Sequence, residues 1–173
     1  MDEFAAIEDR FATYAKRLID DPAARYEALR NCQFFAPVAD DGLQRIAGLA
    51  RIQVFNSDVC LTSQDEEAKA FYVILMGGAE AFHNGKRVGT IDTGECFGEG
   101  IFFADGHVAS SATVIADYRI IAAEFDKAAV EQLRADAALM VSMDKALLLA
   151  LFRKLQRANR RIEQLTLLQE RGV

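Results

Sequence analysis

The chain has 173 residues, of which 51% are hydrophobic and 27% are charged, so we expect one domain with a substantial core. Its net charge of −6 argues against a protein built to grip phosphate backbones, and no apolar run is long enough to span a membrane. The acidic N-terminus also lacks the order of a signal peptide. These features predict a cytoplasmic protein that binds neither nucleic acid nor membrane.

The residue types that usually carry catalysis or metals are few and scattered. Cys32, Cys60 and Cys96 are widely spaced with no CxxC pair, which favours small buried side chains over metal ligands. His83 and His107 lie in predicted turn segments and form no motif with each other. Neither GxSxG nor HExxH is present. The sequence therefore predicts no catalytic residues, no metal site and no enzyme.

The first fifty residues predict three helices. Over residues 3–19 the apolar positions are spaced by three and four, which indicates an amphipathic helix. Asp21 and Pro22 are typical of an N-cap and first helical position, and a third helix follows Asp40–Asp41. Its apolar stripe needs a partner surface, either the β-roll or the terminal helix of a second protomer, and we expect it to pack across a dimer. The stripe consists of Phe4, Ile7, Phe11, Tyr14 and Leu18.

From Arg51 the apolar period shortens to two and predicts a run of short strands. Residues 71–76 are all apolar or aromatic, as in a strand that is buried on both faces. Asn84-Gly85 is a strong hairpin signal, and further strands are predicted at residues 111–116 and 118–125. Short strands with turn signals every eight to twelve residues indicate a closed or sandwiched β architecture such as a jelly roll.

After Asp126 the chain is predicted to be helical again, with a long helix from about Ala137 to Leu168. A coiled-coil seam with alternating spacings of four and three runs along it through Leu148, Phe152, Leu155, Asn159 and Ile162. Two interpretations remain open: a parallel homodimer in which Asn159 fixes the register, or packing on the chain's own β-structure. Five basic residues flank the seam and suit either solvent or an acidic partner protein: Arg153, Lys154, Arg157, Arg160 and Arg161.

The order of these segments resembles the cyclic nucleotide-binding domain family. The resemblance rests on residues 31–37, 71–77, the glycine-rich stretch 94–103, and residues 111–114, and it covers about residues 28 to 165. It implies an α+β fold: a β-roll or jelly roll (double-stranded β-helix) with N-terminal helices and a long C-terminal helix. Three parts are expected: a helical extension at 1–27, the β-roll at 28–136 and a dimerisation helix at 137–173.

The resemblance also implies a ligand site for a cyclic nucleotide, cAMP or cGMP, in a cassette from Gly98 to about Thr113. In this family the glutamate matching Glu99 binds a ribose hydroxyl, and backbone amides near Gly100 and Ile101 approach the phosphate. The other positions that match the site are Ser110, Ser111 and Ala112, with Asn159 on the terminal helix. Two turn positions that are commonly glycine in the family are Asp58 and Asp65 here, and aspartate tolerates a left-handed backbone.

The sequence departs from the family at the phosphate. Ser110 stands where the family has a phosphate-binding arginine, and no Lys or Arg occurs between Arg87 and Arg119. Losing that charge-assisted contact predicts weakened affinity. Two functions follow: a stand-alone regulatory or sensor module that binds a cyclic nucleotide weakly or another small molecule, or a ligand-independent dimerisation or protein-interaction module. A DNA-binding activator is not expected, since too few residues follow the long helix.

Overall fold

The structure is a computed structural model and describes residues 3–103 and 107–170, with side chains from residue 6 onward. The helices are α1 (Glu3–Asp20), α2 (Pro22–Arg30), α3 (Asp40–Leu49), α4 (Lys127–Ala135) and α5 (Ala137–Glu170), with 3₁₀ turns at Gln33–Phe35 and Glu99–Phe102. The strands are β1 (Arg51–Phe55), β2 (Cys60–Thr62), β3 (Ala70–Met76), β4 (Gly78–His83), β5 (Lys86–Asp92), β6 (Cys96–Phe97), β7 (Thr113–Ala116) and β8 (Ile120–Asp126).

The strands form two four-stranded antiparallel sheets that enclose a roll. The strand orders are β1-β8-β3-β6 and β2-β7-β4-β5. Consecutive strands therefore alternate between the sheets in places, as a jelly roll requires. Helices precede the roll and follow it, so the predicted fold class, α+β with a β-roll and a long C-terminal helix, is confirmed.

Strand β3 separates two hydrophobic cores, which explains why all its residues up to Ile74 are buried. Alternate side chains of a strand point to opposite faces. Tyr72 and Ile74 face the inside of the roll, where the Tyr72 ring stacks on Phe97 with centroids 4.8 Å apart. Phe71 faces the helices and packs against Phe125. The helical side of this core also contains Phe34, Phe35, Leu43, Ile46, Val130, Leu133 and Met143.

The turns have the backbone geometry that their sequences predict. Asp58 and Asp65 have φ values of 62° and 64°, so both adopt the left-handed conformation expected at these positions. Asn84 and Gly85 have φ values of 50° and 73° and join β4 to β5, which pair as a hairpin. Local turn chemistry is thus sufficient to fix these corners of the roll.

Helix α1 packs on the chain's own β-roll, so the prediction that its stripe packs across a dimer is wrong. Leu18 is buried with Ile121 of β8, and the Arg119 guanidinium lies 4.4 Å above the Phe11 ring while pairing with Glu8. The reason is that the outer face of β8 is apolar at this end and needs a cover. Phe4, the first member of the predicted stripe, lies outside the described side chains.

Helix α5 is anchored at its beginning and exposed along its second half. Asp136 caps it, because its Oδ1 accepts hydrogen bonds from the amides of Ala138 and Leu139 at 3.0 and 3.1 Å. The first turns bury Leu139 and Met143 in the helical core. The apolar seam does not pack on the roll: Leu148, Phe152, Leu155 and Ile162 are each more than half exposed. None of the helices in the described residues has an apolar stretch long enough to cross a membrane.

Candidate functional site

The entry to the cassette is fixed by close backbone packing. Gly98 has a φ of 77°, and a β-carbon there would come within 3.0 Å of the Ala70 carbonyl oxygen. The chain then turns through a 3₁₀ helix that exposes part of Glu99 and buries Ile101 in the helical core. A β-carbon on Gly100 would lie 3.0 Å from Val108, so the outgoing and returning arms of the cassette touch at this point.

The return arm pairs with the segment before β3. The amide of Ser110 donates to the Glu66 carbonyl at 2.8 Å, and the Ser110 carbonyl accepts from the Asp65 amide at 2.9 Å. Two residues earlier in the chain, the Val108 carbonyl accepts a hydrogen bond from the Ala68 amide at 2.7 Å. The backbone of Ser110 is therefore committed to this pairing, and only its half-exposed hydroxyl is left to meet a ligand. Residues 104–106 lie outside the described residues.

The last two predicted cassette positions lead into β7. The Ser111 carbonyl lies 3.1 Å from Nδ1 of His83, and the Ala112 carbonyl accepts a hydrogen bond from the Thr62 hydroxyl at 3.2 Å. Ser111 is exposed and Ala112 is half-buried. The structure thus brings Gly98 to Ile101 together in one turn and places Ser110 to Ala112 on the adjoining return arm.

A basic side chain from α5 reaches the cassette carboxylate, a contact that no sequence pattern indicated. Nζ of Lys154 lies 2.6 Å from Oε1 of Glu99. Both side chains are mostly buried, with 29% of Lys154 and 18% of Glu99 exposed. The pair joins residues 55 positions apart, so it depends on where α5 crosses the roll. The carboxylate of Glu99, which we expected to bind a sugar hydroxyl, therefore has a cationic partner.

Two further basic residues on the same face of α5 reach the β-roll. Arg157 pairs with Glu95, and the Arg161 guanidinium donates to the backbone carbonyls of Val88 and Arg87 at 3.1 and 3.4 Å. Lys154, Arg157 and Arg161 are separated by three and four residues, which places them along one helical face. We refer to these three residues as the basic ridge.

Asn159 lies with the apolar seam and away from the basic ridge. At 100° per residue it is about 140° around the helix from Lys154. Its side chain is exposed, and none of the hydrogen bonds described for residues 3–103 and 107–170 involves it. The structure therefore does not bring Asn159 to the cassette, whereas Lys154 of the same helix pairs with Glu99 there.

A buried thiol that is kept neutral lies in β6, just before the cassette. Burial raises the pKa of Cys96 to about 12, although the nearby Lys154 ammonium acts in the opposite direction. A thiol with such a pKa is not a nucleophile at neutral pH. Among the described residues, no group of three or more His, Cys, Asp or Glu side chains is placed to hold a metal ion.

Two concave regions lie away from the cassette. A cleft of about 420 Å³ is lined by α1, α2 and the end of β3, with Arg17, Glu27 and Asn31 at its rim. A shallow groove of about 710 Å³ follows the seam of α5 between Val141 and Leu155. Neither region includes a residue from Gly98 to Ala112, so neither enlarges the cassette.

A β-roll with a Gly-Glu 3₁₀ turn and a long helix that reaches back to that turn is the architecture of a class of regulatory domains. Within this class, residues 52–137 match the family model described as "Cyclic nucleotide-binding domain", and the chain belongs to that family over those residues. No curated protein matches the chain significantly.

Solved structures with the same fold come from bacteria and protozoa. A candidate cyclic nucleotide-binding protein from Geobacter metallireducens is 22% identical, with a TM-score of 0.66 over 75% of this chain and 96% of that one. The regulatory subunit of a cAMP-independent protein kinase A from Trypanosoma brucei is 21% identical, with a TM-score of 0.65 over 87% of this chain and 51% of that one. A triple variant of that subunit bound to cAMP is 22% identical, with a TM-score of 0.64 over 90% and 56% of the two chains.

Proposed function

We propose that the chain is a regulatory module of the cyclic nucleotide-binding type whose phosphate subsite is degenerate, so that cAMP or cGMP binds weakly. The observation that carries this proposal is the lack of a free cation among the described residues of the cassette. Ser110 stands in the place of the arginine, and Lys154, the basic side chain that does reach the cassette, is paired with Glu99. In this proposal residues 28–136 form the β-roll that binds the ligand, and residues 1–27 form a helical extension that packs on it. Residues 137–173 form the long C-terminal helix through which the module acts on its partner.

The size of the effect follows from the type of contact that is missing. A charge-assisted arginine–phosphate contact in a partly buried site contributes about 2–5 kcal/mol. Its loss weakens binding by roughly thirty-fold to several thousand-fold. The hydroxyls of Ser110 and Ser111 can donate neutral hydrogen bonds, which recover only part of this energy. A cyclic nucleotide therefore binds well below the affinity that an arginine-containing cassette provides.

The regulatory subunit from Trypanosoma brucei offers a parallel that supports the role of an arginine in cAMP binding. Its native regulatory subunit is described as cAMP-independent, and the variant described as bound to cAMP carries three substitutions, one of which replaces a threonine with arginine. A small hydroxyl residue and an arginine are likewise the two alternatives at position 110 of this chain. The same change here is the direct test of the subsite.

The test is a calorimetric titration of the whole chain with cAMP and with cGMP. For the native chain we expect no binding tighter than about 10 µM, and a Ser110→Arg variant should bind cAMP at least about ten-fold more tightly. Ser111→Arg is the matched control, because it adds the same charge at the neighbouring exposed position and should gain less. A native dissociation constant below about 10 µM contradicts the proposal, and equal gains from both variants contradict the assignment of Ser110.

A second candidate function is ligand-independent dimerisation, favoured by the exposed seam of α5. Leu148, Phe152, Leu155 and Ile162 are exposed at heptad spacing on a helix whose first turns are firmly anchored. A second copy of α5 offers the same seam, and paired Asn159 side chains would fix a parallel register. We infer a homodimer through this seam.

Sedimentation velocity tests the dimer directly. Phe152→Asp places a charge in the seam and should convert a dimer into a monomer. Gln164→Asp is the matched control, since Gln164 lies about 160° around the helix from the middle of the seam and is exposed. A monomeric native chain contradicts the homodimer and leaves the seam for a different partner protein.

A further inference from the structure

Two acidic side chains of the β-roll next to the cassette are neutralised by basic side chains of α5. Glu95 and Glu99 lie on either side of β6, and both are less than one-fifth exposed in their side chains. The sequence between Arg87 and Arg119 supplies no basic residue to balance them. In the structure Lys154 pairs with Glu99 and Arg157 pairs with Glu95, so the two charges are matched one to one by the basic ridge.

The contact between Lys154 and Glu99 is stronger than an ordinary surface ion pair. Exposed pairs gain little because water screens them and because two long side chains must be ordered. Here the partners are 2.6 Å apart and mostly buried. Screening is reduced in such a position, and the attraction is correspondingly larger.

We propose that Lys154 acts as an intramolecular ligand of the cassette, occupying Glu99 and fastening α5 to the β-roll with no nucleotide bound. This proposal rests on the proposed function in one respect, namely that Glu99 is the carboxylate of the ligand site. A sugar hydroxyl that approaches Oε1 of Glu99 has to compete with the ammonium, which already donates to that oxygen. That exchange replaces a hydrogen bond between two charged groups with one from a neutral donor, and it leaves the ammonium without its carboxylate partner.

The consequence concerns how the module is switched. A ligand shifts a conformational equilibrium only by its differential affinity for the two states. The chain itself already makes the bond between cassette and terminal helix, so a cyclic nucleotide gains less there than it would from a carboxylate with no cationic partner. The pair of Lys154 and Glu99 therefore helps to hold the middle of α5 on the β-roll, and Glu99 accepts a cationic group in preference to a hydroxyl.

Hydrogen exchange of the full chain, measured by mass spectrometry without nucleotide, tests the proposal. In Lys154→Glu and in Glu99→Lys, amides of residues 150–162 should exchange about ten-fold faster, because each variant replaces attraction with repulsion. The double variant Lys154→Glu/Glu99→Lys restores opposite charges and should return exchange to the native rate. Arg160→Glu is the matched control: it makes the same charge change on the same helix, and Arg160 is exposed and belongs to none of the described ion pairs.

A neutral variant guards against misfolding of the charge-reversed chains. Lys154→Met keeps the length of the side chain and should raise exchange of the same amides about three-fold, with the thermal unfolding of the β-roll unchanged. Native exchange rates in all the Lys154 and Glu99 variants, or a double variant that is no better than the single ones, would overturn the proposal. Because no nucleotide is present, this result is independent of the titration: tight cAMP binding contradicts only the proposed weak site.

Discussion

Gly98 and Ala70 are packed backbone to backbone: a β-carbon at Gly98 would lie within 3.0 Å of the Ala70 carbonyl oxygen. Gly98 also has a φ of 77°, in the region that L-amino acids with side chains rarely adopt. Both constraints arise from the protein backbone and involve no ligand. The glycine that marks the cassette in the sequence is therefore needed by the fold, and its presence is no measure of ligand binding.

Replacing Gly98 with alanine should destabilise the protein with or without a ligand. The added β-carbon meets a rigid carbonyl and the positive φ adds strain, so we expect a loss of about 2 kcal/mol or more in the free energy of unfolding. Urea denaturation measures it. Gly89→Ala is the control, because a β-carbon added at Gly89 would meet nothing within 4 Å, and it should change stability by less than about 0.5 kcal/mol. Equal losses in the two variants would contradict the packing argument.

Helix α1 is held on the roll by Leu18, which is 1% exposed. Leu18→Ala removes a buried side chain from the contact with Ile121 and should lower the free energy of unfolding by about 2–4 kcal/mol. The neighbouring Ile19 is 48% exposed, so Ile19→Ala should have a much smaller effect in the same urea titration. The oligomeric state should be the same in both variants. A change of oligomeric state in Leu18→Ala alone would restore the idea that α1 packs on a second protomer.

The features that the sequence predicted correctly depend on neighbouring residues. The left-handed Asp58 and Asp65, the Asn84-Gly85 corner and the Asp21 cap of α2 each follow from the conformational preferences of one or two residues. The change of apolar period at Arg51 similarly located the start of the roll. Such signals are local, and they predicted the elements, whereas the arrangement of the elements in a β-roll was what the resemblance to a known family implied.

The features that the sequence did not predict depend on how elements cross in space. The stripe of α1 packs on β8 because Ile121 offers an apolar side chain on the outer face of that strand. The sequence pattern assigns Ile121 only to a buried strand and does not say what covers it. The pairing of Lys154 with Glu99 required the position of α5 relative to β6. In the sequence alone, Lys154 belongs to a run of basic residues on a solvated helical flank, and nothing distinguishes it from Arg153 or Arg160.

The three thiols should differ sharply in reactivity. Cys60 is exposed, whereas Cys32 and Cys96 are buried. Burial raises the pKa of the Cys32 thiol and raises that of Cys96 to about 12, so neither forms a thiolate at neutral pH. Titration of the native chain with a disulfide reagent at pH 7.5 should therefore modify about one thiol, and all three after denaturation. A folded Cys60→Ser variant that still reacts rapidly would contradict this prediction, because only the buried Cys32 and Cys96 remain to react.

The start of α5 should be sensitive to acid through Asp136. Its carboxylate accepts a hydrogen bond from the Leu139 amide and pairs with Arg45, and these contacts, in that order, hold its pKa below the usual 3.8. A folded-state pKa below the unfolded one means that the stabilisation is present above the unfolded pKa and is lost as the pH falls through the folded value. Asp136→Ala should therefore lower the melting temperature at pH 7, and this difference from the native chain should shrink as the pH falls below 3.8.

Asp136→Asn separates the charge from the cap. Asparagine keeps an oxygen that can accept the Ala138 and Leu139 amide hydrogen bonds, but it cannot form the ion pair with Arg45. Its melting temperature at pH 7 should thus lie between those of the native chain and Asp136→Ala. The acid-dependent part of the difference should be present in both variants, because both remove the ionisable group. This assignment would be contradicted if the difference in melting temperature between the native chain and Asp136→Ala were the same from pH 7 to pH 3. A contribution that does not depend on the charge of Asp136 would not change with its protonation.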